Sequence, residues 1–399
     1  MTRKVSNDVL YIGADDINLD LFESQYAVPD GMAYNSYVIL DEKIAIMDTI
    51  DSRAGDQWKE NLSEALDGRT PDYLVVQHLE PDHSSLIAYA METYPSLKVV
   101  ASAKAVSMLP QFFGDTSFEG RTVSVKEGDI LELGSHTLKF IMAPMVHWPE
   151  VMVSYDLSSG ILFSADAFGK FGSLSKSGFW GDDDSDWACE GRRYYFNICG
   201  KYGLQVQNLL KKASALDIKM ILPLHGPVLP MPGDDISYYI NTYNTWSSYE
   251  AETHGVFVAY ASIHGNTARA AKKLAELLEA KGEKVAISDI CREDMAECVE
   301  DAFRYDRMVI CASSYDGGVF LPMHDFLNHL TVKTYQNRKI FIMENGSWAP
   351  SAARTIKGIA EDWKNVEISE PVVTIRSTMK QSDIPSIEAL ADAIIEAGK

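Results

Sequence analysis

The chain has no CxxC pair, and its five cysteines (Cys189, Cys199, Cys291, Cys298, Cys311) form no short-spaced cluster. An integral rubredoxin-type or iron–sulfur centre needs several thiolates close together, so neither is expected. An odd, scattered set reads as reduced and mostly structural thiols. Long apolar runs are missing too, and Met1-Thr2-Arg3-Lys4 leads into polar residues rather than a signal core. The expectation is a cytoplasmic protein that neither spans nor anchors to a membrane. A surplus of positive charge is also absent. The formal net charge of −21 argues against nucleic acid or an anionic membrane surface as partner. A small diffusible substrate or a basic redox partner stays compatible. Neither GxxxxGK[ST] nor GxGxxG occurs, so nucleoside triphosphate and dinucleotide sites lack support. No Ser/His or Cys/His pair stands out as a nucleophilic device.

What is present is an ordinary globular composition, 46% hydrophobic and 23% charged, in 399 residues, enough for two or more cores. The rhythm changes near residue 250. Within a first domain of residues 1–250, short apolar strands alternate with turns and occasional helices from about residue 8 to 230. The candidates are Tyr37–Leu40, Ala45–Met47, Tyr73–Val76, Lys98–Ala101, Thr122–Val125, Thr137–Ala143, Val151–Tyr155, Gly160–Ser164 and Met220–Leu222. Helical stretches near Arg53–Leu66 and Tyr202–Leu216 suggest two sheets covered by helices. An aromatic-rich helix over Ile236–Glu250 joins this half to the next. Over residues 251–399, five near-continuous apolar strands alternate with five helical windows, as in a flavodoxin-like doubly wound parallel sheet.

The first half carries the densest cluster of chemistry. After the apolar run Tyr73–Val76 comes His78-Leu79-Glu80-Pro81-Asp82-His83, four metal-competent side chains in six residues. Pro81 suggests a rigid loop rather than a helix. His147, Asp166 and His225 also lie just beyond strand candidates, where side chains at one sheet end can share a pocket. Four imidazoles and three carboxylates suffice for two metals with one carboxylate bridging. Each residue alone reads as a strand-end cap; seven together read as a site. The mixture of carboxylate and imidazole suits iron or manganese better than a thiolate-rich structural zinc.

HxExDH followed by His147, Asp166 and His225 resembles the metallo-β-lactamase-like domain of the flavodiiron proteins (A-type flavoproteins). Zinc hydrolases of that fold typically carry HxHxDH, and here Glu80 takes the second histidine's place. The resemblance implies an N-terminal αββα sandwich and two non-haem iron ions. His78, Glu80 and His147 would bind one iron, Asp82, His83 and His225 the other, with Asp166 bridging. In some members the residue matching His83 turns away from the metal. Asp48 could orient a ligand from behind, the alternative being a strand-end turn residue. Arg192-Arg193-Tyr194-Tyr195 resembles a stretch that brings a tyrosine near the irons. That implies Tyr195 as hydrogen-bond or proton donor, with core packing as the alternative.

In the second half, Val256–Tyr260 runs into Ser262-Ile263-His264-Gly265-Asn266-Thr267 and a helix. A hydroxyl- and glycine-bearing loop at a helix N-terminus favours a phosphate, and S-x-x-G-N-T looks like the flavodoxin FMN loop. The loops after the third and fourth strands read Ser313-Ser314-Tyr315-Asp316-Gly317-Gly318 and Asn345-Gly346-Ser347-Trp348. Tyr315 and Trp348 could stack on a flavin, though a core tryptophan is the alternative and the family's YGWSG-like sequence is altered here.

The resemblance covers nearly the whole chain, as the minimal two-domain form without a fused rubredoxin or flavin reductase module. It implies reduction of dioxygen to water, of nitric oxide to nitrous oxide, or both. Electrons would come from rubredoxin or a reduced deazaflavin, and the assembly would be a head-to-tail homodimer or a dimer of dimers. Two other readings remain open: a zinc-dependent hydrolase of the same metal fold, and an electron-transfer flavoprotein with a vestigial metal site.

Overall fold

The computed structural model describes residues 2–184 and 186–399. Two compact units divide the chain. One is Met1–Tyr195 with Tyr202–Asn244; the other is Phe196–Lys201 with Thr245–Lys399. The short piece Phe196–Lys201 therefore packs with the C-terminal unit. Phe196 stacks flat on Phe303 at 4.4 Å, and the Asn197 amide donates to the Ala296 carbonyl at 3.1 Å.

The first unit is a metallo-β-lactamase-like αββα sandwich. Its seven-stranded sheet runs Arg3–Lys4, Val9–Tyr11, Tyr37–Ile39, Ala45–Met47, Tyr73–Val76, Lys98–Ser102, Thr122–Val125. The five-stranded sheet runs Ile130–Glu132, Thr137–Met142, Met152–Asp156, Ile161–Phe163, Met220–Leu222. Between them lies a core that includes Tyr37, Met47, Val75, Val100, Leu138, Phe140, Met152, Phe163 and Leu222. The period of two is plain in Thr137–Met142, where Leu138 and Phe140 enter the core while Thr137 and Lys139 do not. Each such side chain contributes roughly 1.5–3 kcal/mol by leaving water. The helix Gly55–Leu66 buries Trp58, Leu62 and Ala65, and Gly203–Ala213 buries Val206, Leu209, Leu210 and Ala213, the spacing of one helical face.

Parallel pairing at two places aligns the functional strand ends. Met47 lies opposite Val75, so Asp48 and Gln77-His78 emerge together. Phe163 lies opposite Leu222, so Asp166 and His225, each three residues further on, emerge together.

The second unit is flavodoxin-like. Thr253–Ala261 lies between Val285–Asp289 and Tyr305–Tyr315, followed outward by Lys339–Asn345 and then Glu367–Ile368 and Val373–Ile375, all parallel. This is the 2-1-3-4-5 order of a doubly wound sheet. Ala270, Leu274 and Leu278 of Asn266–Ala280 share a core with Ile387, Leu390 and Ile394 of Ile384–Ala397.

Some elements differ from the sequence reading. Pro81 does not hold a loop open; it begins a helical turn, Pro81–Ser84, with Glu80 as the cap residue. Proline suits that first position because its missing N–H has no helical partner there anyway. The helix Ala103–Phe112 escapes pattern reading because Pro110 interrupts it, and the strands before Tyr34 are two or three residues long, too short for a period. Among the described residues no helix is long and apolar enough to cross a membrane.

A buried histidine of the first unit gives this fold a testable pH response. His136 Nδ1 lies 2.7 Å from Asp156 Oδ2, with Asp8 at 3.7 Å from Nε2 and Asp41 accepting the His136 backbone N–H at 2.7 Å. The hydrogen bond to Asp156, opposed by burial, raises the imidazole above its ordinary value. Burial opposes ionisation of Asp156, but hydrogen bonds from His136 and Ser159 hold it below the carboxylate range. A raised histidine stabilises fully below its unfolded value of about 6.5 and loses that contribution as pH rises through the folded value; a lowered aspartate loses its contribution as pH falls. His136→Gln should therefore cost about 1.5–3 kcal/mol near pH 5–6 and less toward pH 9. Urea midpoints of parent and variant across pH check this.

Candidate metal centre

All seven metal-competent residues converge, and they form two groups. His78, Glu80, His147 and Asp166 each offer a ligand atom within 4.8 Å of the others, and so do Asp82, His83 and His225. His147 Nε2 lies 3.0 Å from Glu80 Oε2, and His78 Nε2 lies 3.2 Å from the same oxygen. In the other group, Asp82 Oδ2 lies 3.3 Å from both His83 Nε2 and His225 Nε2. Asp166 serves both. Its Oδ2 is 3.3 and 3.4 Å from His147 and His78, while its Oδ1 is 3.1 and 3.7 Å from His83 and His225. His83 thus faces inward.

The helical turn explains this distribution. Glu80, extended at the cap, points to the first group, and Asp82 and His83, inside the turn, point to the second. Donors about 2.1 Å from one ion are separated by about 3.0–3.4 Å at octahedral to tetrahedral angles, and most separations here fall in that range. Both oxygens of Asp82, Asp166 Oδ1, His83 Nε2 and His225 Nε2 are buried without a hydrogen-bond partner. Buried polar atoms left this way are costly, and a bound cation would satisfy them. Each group has two imidazoles and one carboxylate of its own, a donor set suited to non-haem iron. These residues fit two metals.

The electrostatics are those of alternating charge. Burial disfavours the His147 cation, but hydrogen bonds to Asp166 and Glu80 push it up to about 9. Burial likewise opposes the Glu80 anion, and His147 and His78 outweigh it, holding Glu80 below the usual range. Asp166 is held well below that range against burial, chiefly by His83 and His78.

Supporting groups orient these ligands, and motif reading missed several. Glu150 Oε1 lies 2.8 Å from His78 Nδ1 and accepts the Leu79 N–H at 2.9 Å. The Ala33 carbonyl accepts from His225 Nδ1 at 2.7 Å, which turns Nε2 toward the pocket. Phe22 and Trp148 meet His225 and His78 edge-on, at 5.4 and 5.2 Å between ring centroids. Asp48 holds backbone rather than a ring, accepting from Gln77 N at 2.7 Å and His78 N at 3.4 Å. Burial raises its carboxyl to about 6 against the Gln77 hydrogen bonds. Tyr194 packs on His225 at 5.5 Å. Tyr195, one helical position on, is fully buried with its ring edge-on to Tyr243, which supports the packing reading.

In the second unit, the strand register brings the expected loops together. Ala261 pairs with Ala312, Ser313 with Asn345, and Asn345 with Ile375, so the loops after those strands line one edge. A cavity of about 600 Å³ there is lined by Ser262, Ile263, His264, Asn266, Thr267, Ser314, Tyr315, Asp316, Gly317, Asn345, Gly346, Ser347 and Trp348. Ser313, Ala349, Ser351 and Ser377 also line it, the last from a loop the sequence did not single out. Gly265 caps the helix Asn266–Ala280 at φ 81°, and Gly318 pairs with Tyr315 across the tight turn Asp316-Gly317, both residues at positive φ. The Ser262 hydroxyl is buried without a partner, and Thr267 Oγ1 meets Ser313 Oγ at 2.8 Å. Ser314 Oγ accepts from Ser351 N at 2.8 Å, so it shapes the wall. Trp348 is 91% exposed, which excludes the core alternative. An open aromatic beside a helix N-terminus fits a flavin phosphate and ring.

Fold and site together describe a dinuclear metal pocket on one sandwich and an anion-and-aromatic pocket on a flavodoxin-like sheet. A family model described as ODP family β-lactamase matches residues 32–226. An anaerobic nitric oxide reductase flavorubredoxin from Vibrio vulnificus is 26% identical, covering 89% of this chain and 72% of that one. Two solved structures share the fold over 100% of this chain. One is a rubredoxin oxygen:oxidoreductase from Desulfovibrio gigas, with TM-score 0.91, 22% identity and 98% of its chain covered. The other is the flavodiiron protein of Giardia intestinalis, with TM-score 0.92, 23% identity and 97% covered. The chain is thus similar over nearly all of its length to flavorubredoxin and flavodiiron proteins, and over residues 32–226 to a β-lactamase-like family model.

Glu150→Ala should leave the fold intact and weaken metal binding about 10–100-fold by releasing the His78 ring. Elemental analysis after dialysis against graded chelator would register that loss; unchanged metal retention would remove the role given to Glu150.

Proposed function

We propose that this chain is a flavodiiron oxidoreductase that reduces dioxygen to water, nitric oxide to nitrous oxide, or both. The observation that carries the reading is Asp166, whose two oxygens face two separate groups of two imidazoles and one carboxylate. In this reading His78, Glu80 and His147 would hold one iron and Asp82, His83 and His225 the other, with Asp166 placed to serve both. When bound, the two irons and reduced FMN each supply two electrons, four in all for dioxygen or two for a pair of nitric oxide molecules.

The chain's own residues bind and shield. Phe22 and Trp148 pack beside the pocket histidines and limit water around them. Ser262, Asn266 and Thr267, with the N-terminus of Asn266–Ala280, hold the FMN phosphate, while Tyr315 and Trp348 flank its ring. Residues 1–250 and 251–399 carry these two tasks separately. For electron transfer we propose a head-to-tail homodimer, in which FMN of one protomer faces the irons of its partner, with rubredoxin or a reduced deazaflavin as donor. The names of the Vibrio and Desulfovibrio proteins support one gas each, and 26% identity favours neither here.

Purified protein should contain about two irons and one FMN per chain and, in anaerobically prepared solution with reduced donor, consume one or both gases when each is added in a known amount. Asp166→Ala should lose metal and at least about 100-fold in gas turnover while still binding FMN. Two zincs with no iron would instead favour a hydrolase of the same fold. Sedimentation of a fully active monomer would remove the head-to-tail arrangement.

A further inference from the structure

A second cavity, about 230 Å³, opens onto the metal-competent residues. Glu80, Pro81 and Asp82 form one wall, and Leu21, Phe22 and Glu23 of the hairpin Leu21–Ala27 form another. Tyr34 also lines it. The residue is 2% exposed overall, and its hydroxyl makes no hydrogen bond with a described residue and is not among the sealed polar atoms of the core, so it is left to the cavity that Tyr34 lines. A phenol hydroxyl that faces a cavity bordered by Glu80 and Asp82 is placed to donate to a molecule bound there.

The backbone fixes Tyr34 on both sides. Ala33 contributes the carbonyl that holds His225, the Asn35 backbone N–H donates to the Leu224 carbonyl at 2.8 Å, and the Asn35 side-chain amide donates to the Pro223 and Gly226 carbonyls at 2.8 Å each. The residue between them is therefore pinned to the loop carrying His225, with its ring 6.0 Å from that imidazole. We infer that Tyr34 donates a hydrogen bond to the small molecule bound on the Asp82–His225 side of the centre. A phenol's ordinary value of about 10 keeps it protonated, and so a donor, throughout the physiological range. The ligand class is a diatomic gas gaining negative charge as it is reduced, or a small linear anion. A phenol O–H is suited to either because it can only donate toward such a charge. This inference rests on the di-iron reading.

Azide is the probe. In iron-loaded parent protein, the antisymmetric stretch of bound azide should shift between H2O and D2O. Tyr34→Phe should abolish that shift and weaken azide about 10-fold in an absorption titration, with iron and FMN content unchanged. Gas turnover should fall about 10–100-fold. An iron-loaded, gas-consuming parent whose Tyr34→Phe variant keeps both the shift and the affinity overturns this inference alone. Loss of the shift in Tyr195→Phe but not in Tyr34→Phe overturns it as well. A parent without iron removes this inference together with the di-iron reading.

Discussion

Asp166 is a fully buried carboxylate whose two oxygens each face two imidazoles. A buried anion is tolerated only when positive charge and hydrogen bonds surround it. That requirement dictates what the neighbouring strand ends must carry. Four of the chain's nine histidines meet at this point, and Glu80 and Asp82 complete the two sides. Imidazoles and carboxylates bind a cation in their deprotonated forms, so metal affinity and proton release are linked.

The two units solve their positioning problems in the same way. Each places chemistry beyond the carboxyl ends of strands whose register is set by a buried core. In the sandwich, two parallel pairings deliver Asp48 with His78 and Asp166 with His225. In the doubly wound sheet, consecutive parallel pairings deliver Ser262, Ser313, Asn345 and Ser377 to one edge. A one-residue slip would turn every core side chain outward, so hydrophobic packing also guards the functional geometry. The site is as precise as the core behind it.

Around the metal pocket, much of the orientation comes from groups with no chemistry of their own. The Ala33 carbonyl, the Asn35 amide and the Asp48 carboxylate hold the strand ends that carry His225 and His78. These contacts join residues far apart in the chain, with separations of up to 192 positions. Such tethering makes the small hairpin Leu21–Ala27 and the strand Met32–Tyr34 parts of the functional site, although neither carries a proposed ligand.

The ligand set was legible in sequence because metals need particular side-chain types and HxExDH packs four of them into six positions. Strand-end placement of His147, Asp166 and His225 added the rest, since apolar runs betray strands. Regular βα alternation betrayed the second unit for the same reason. What sequence could not supply was partnership at a distance: that Glu150 backs His78, or that Tyr34 faces the cavity. Hydrogen bonds to backbone carbonyls and between remote loops leave no periodic trace. The reading of Pro81 failed because proline breaks a helix interior but begins a helix readily, and only the following turn distinguishes the cases. The exposure of Trp348 was equally undecidable, because an aromatic beside a glycine loop can serve a core or a ligand until the sheet edge is assembled. Residue chemistry and local periodicity determined what this protein could bind; tertiary packing, by fixing which strand ends meet, decided where.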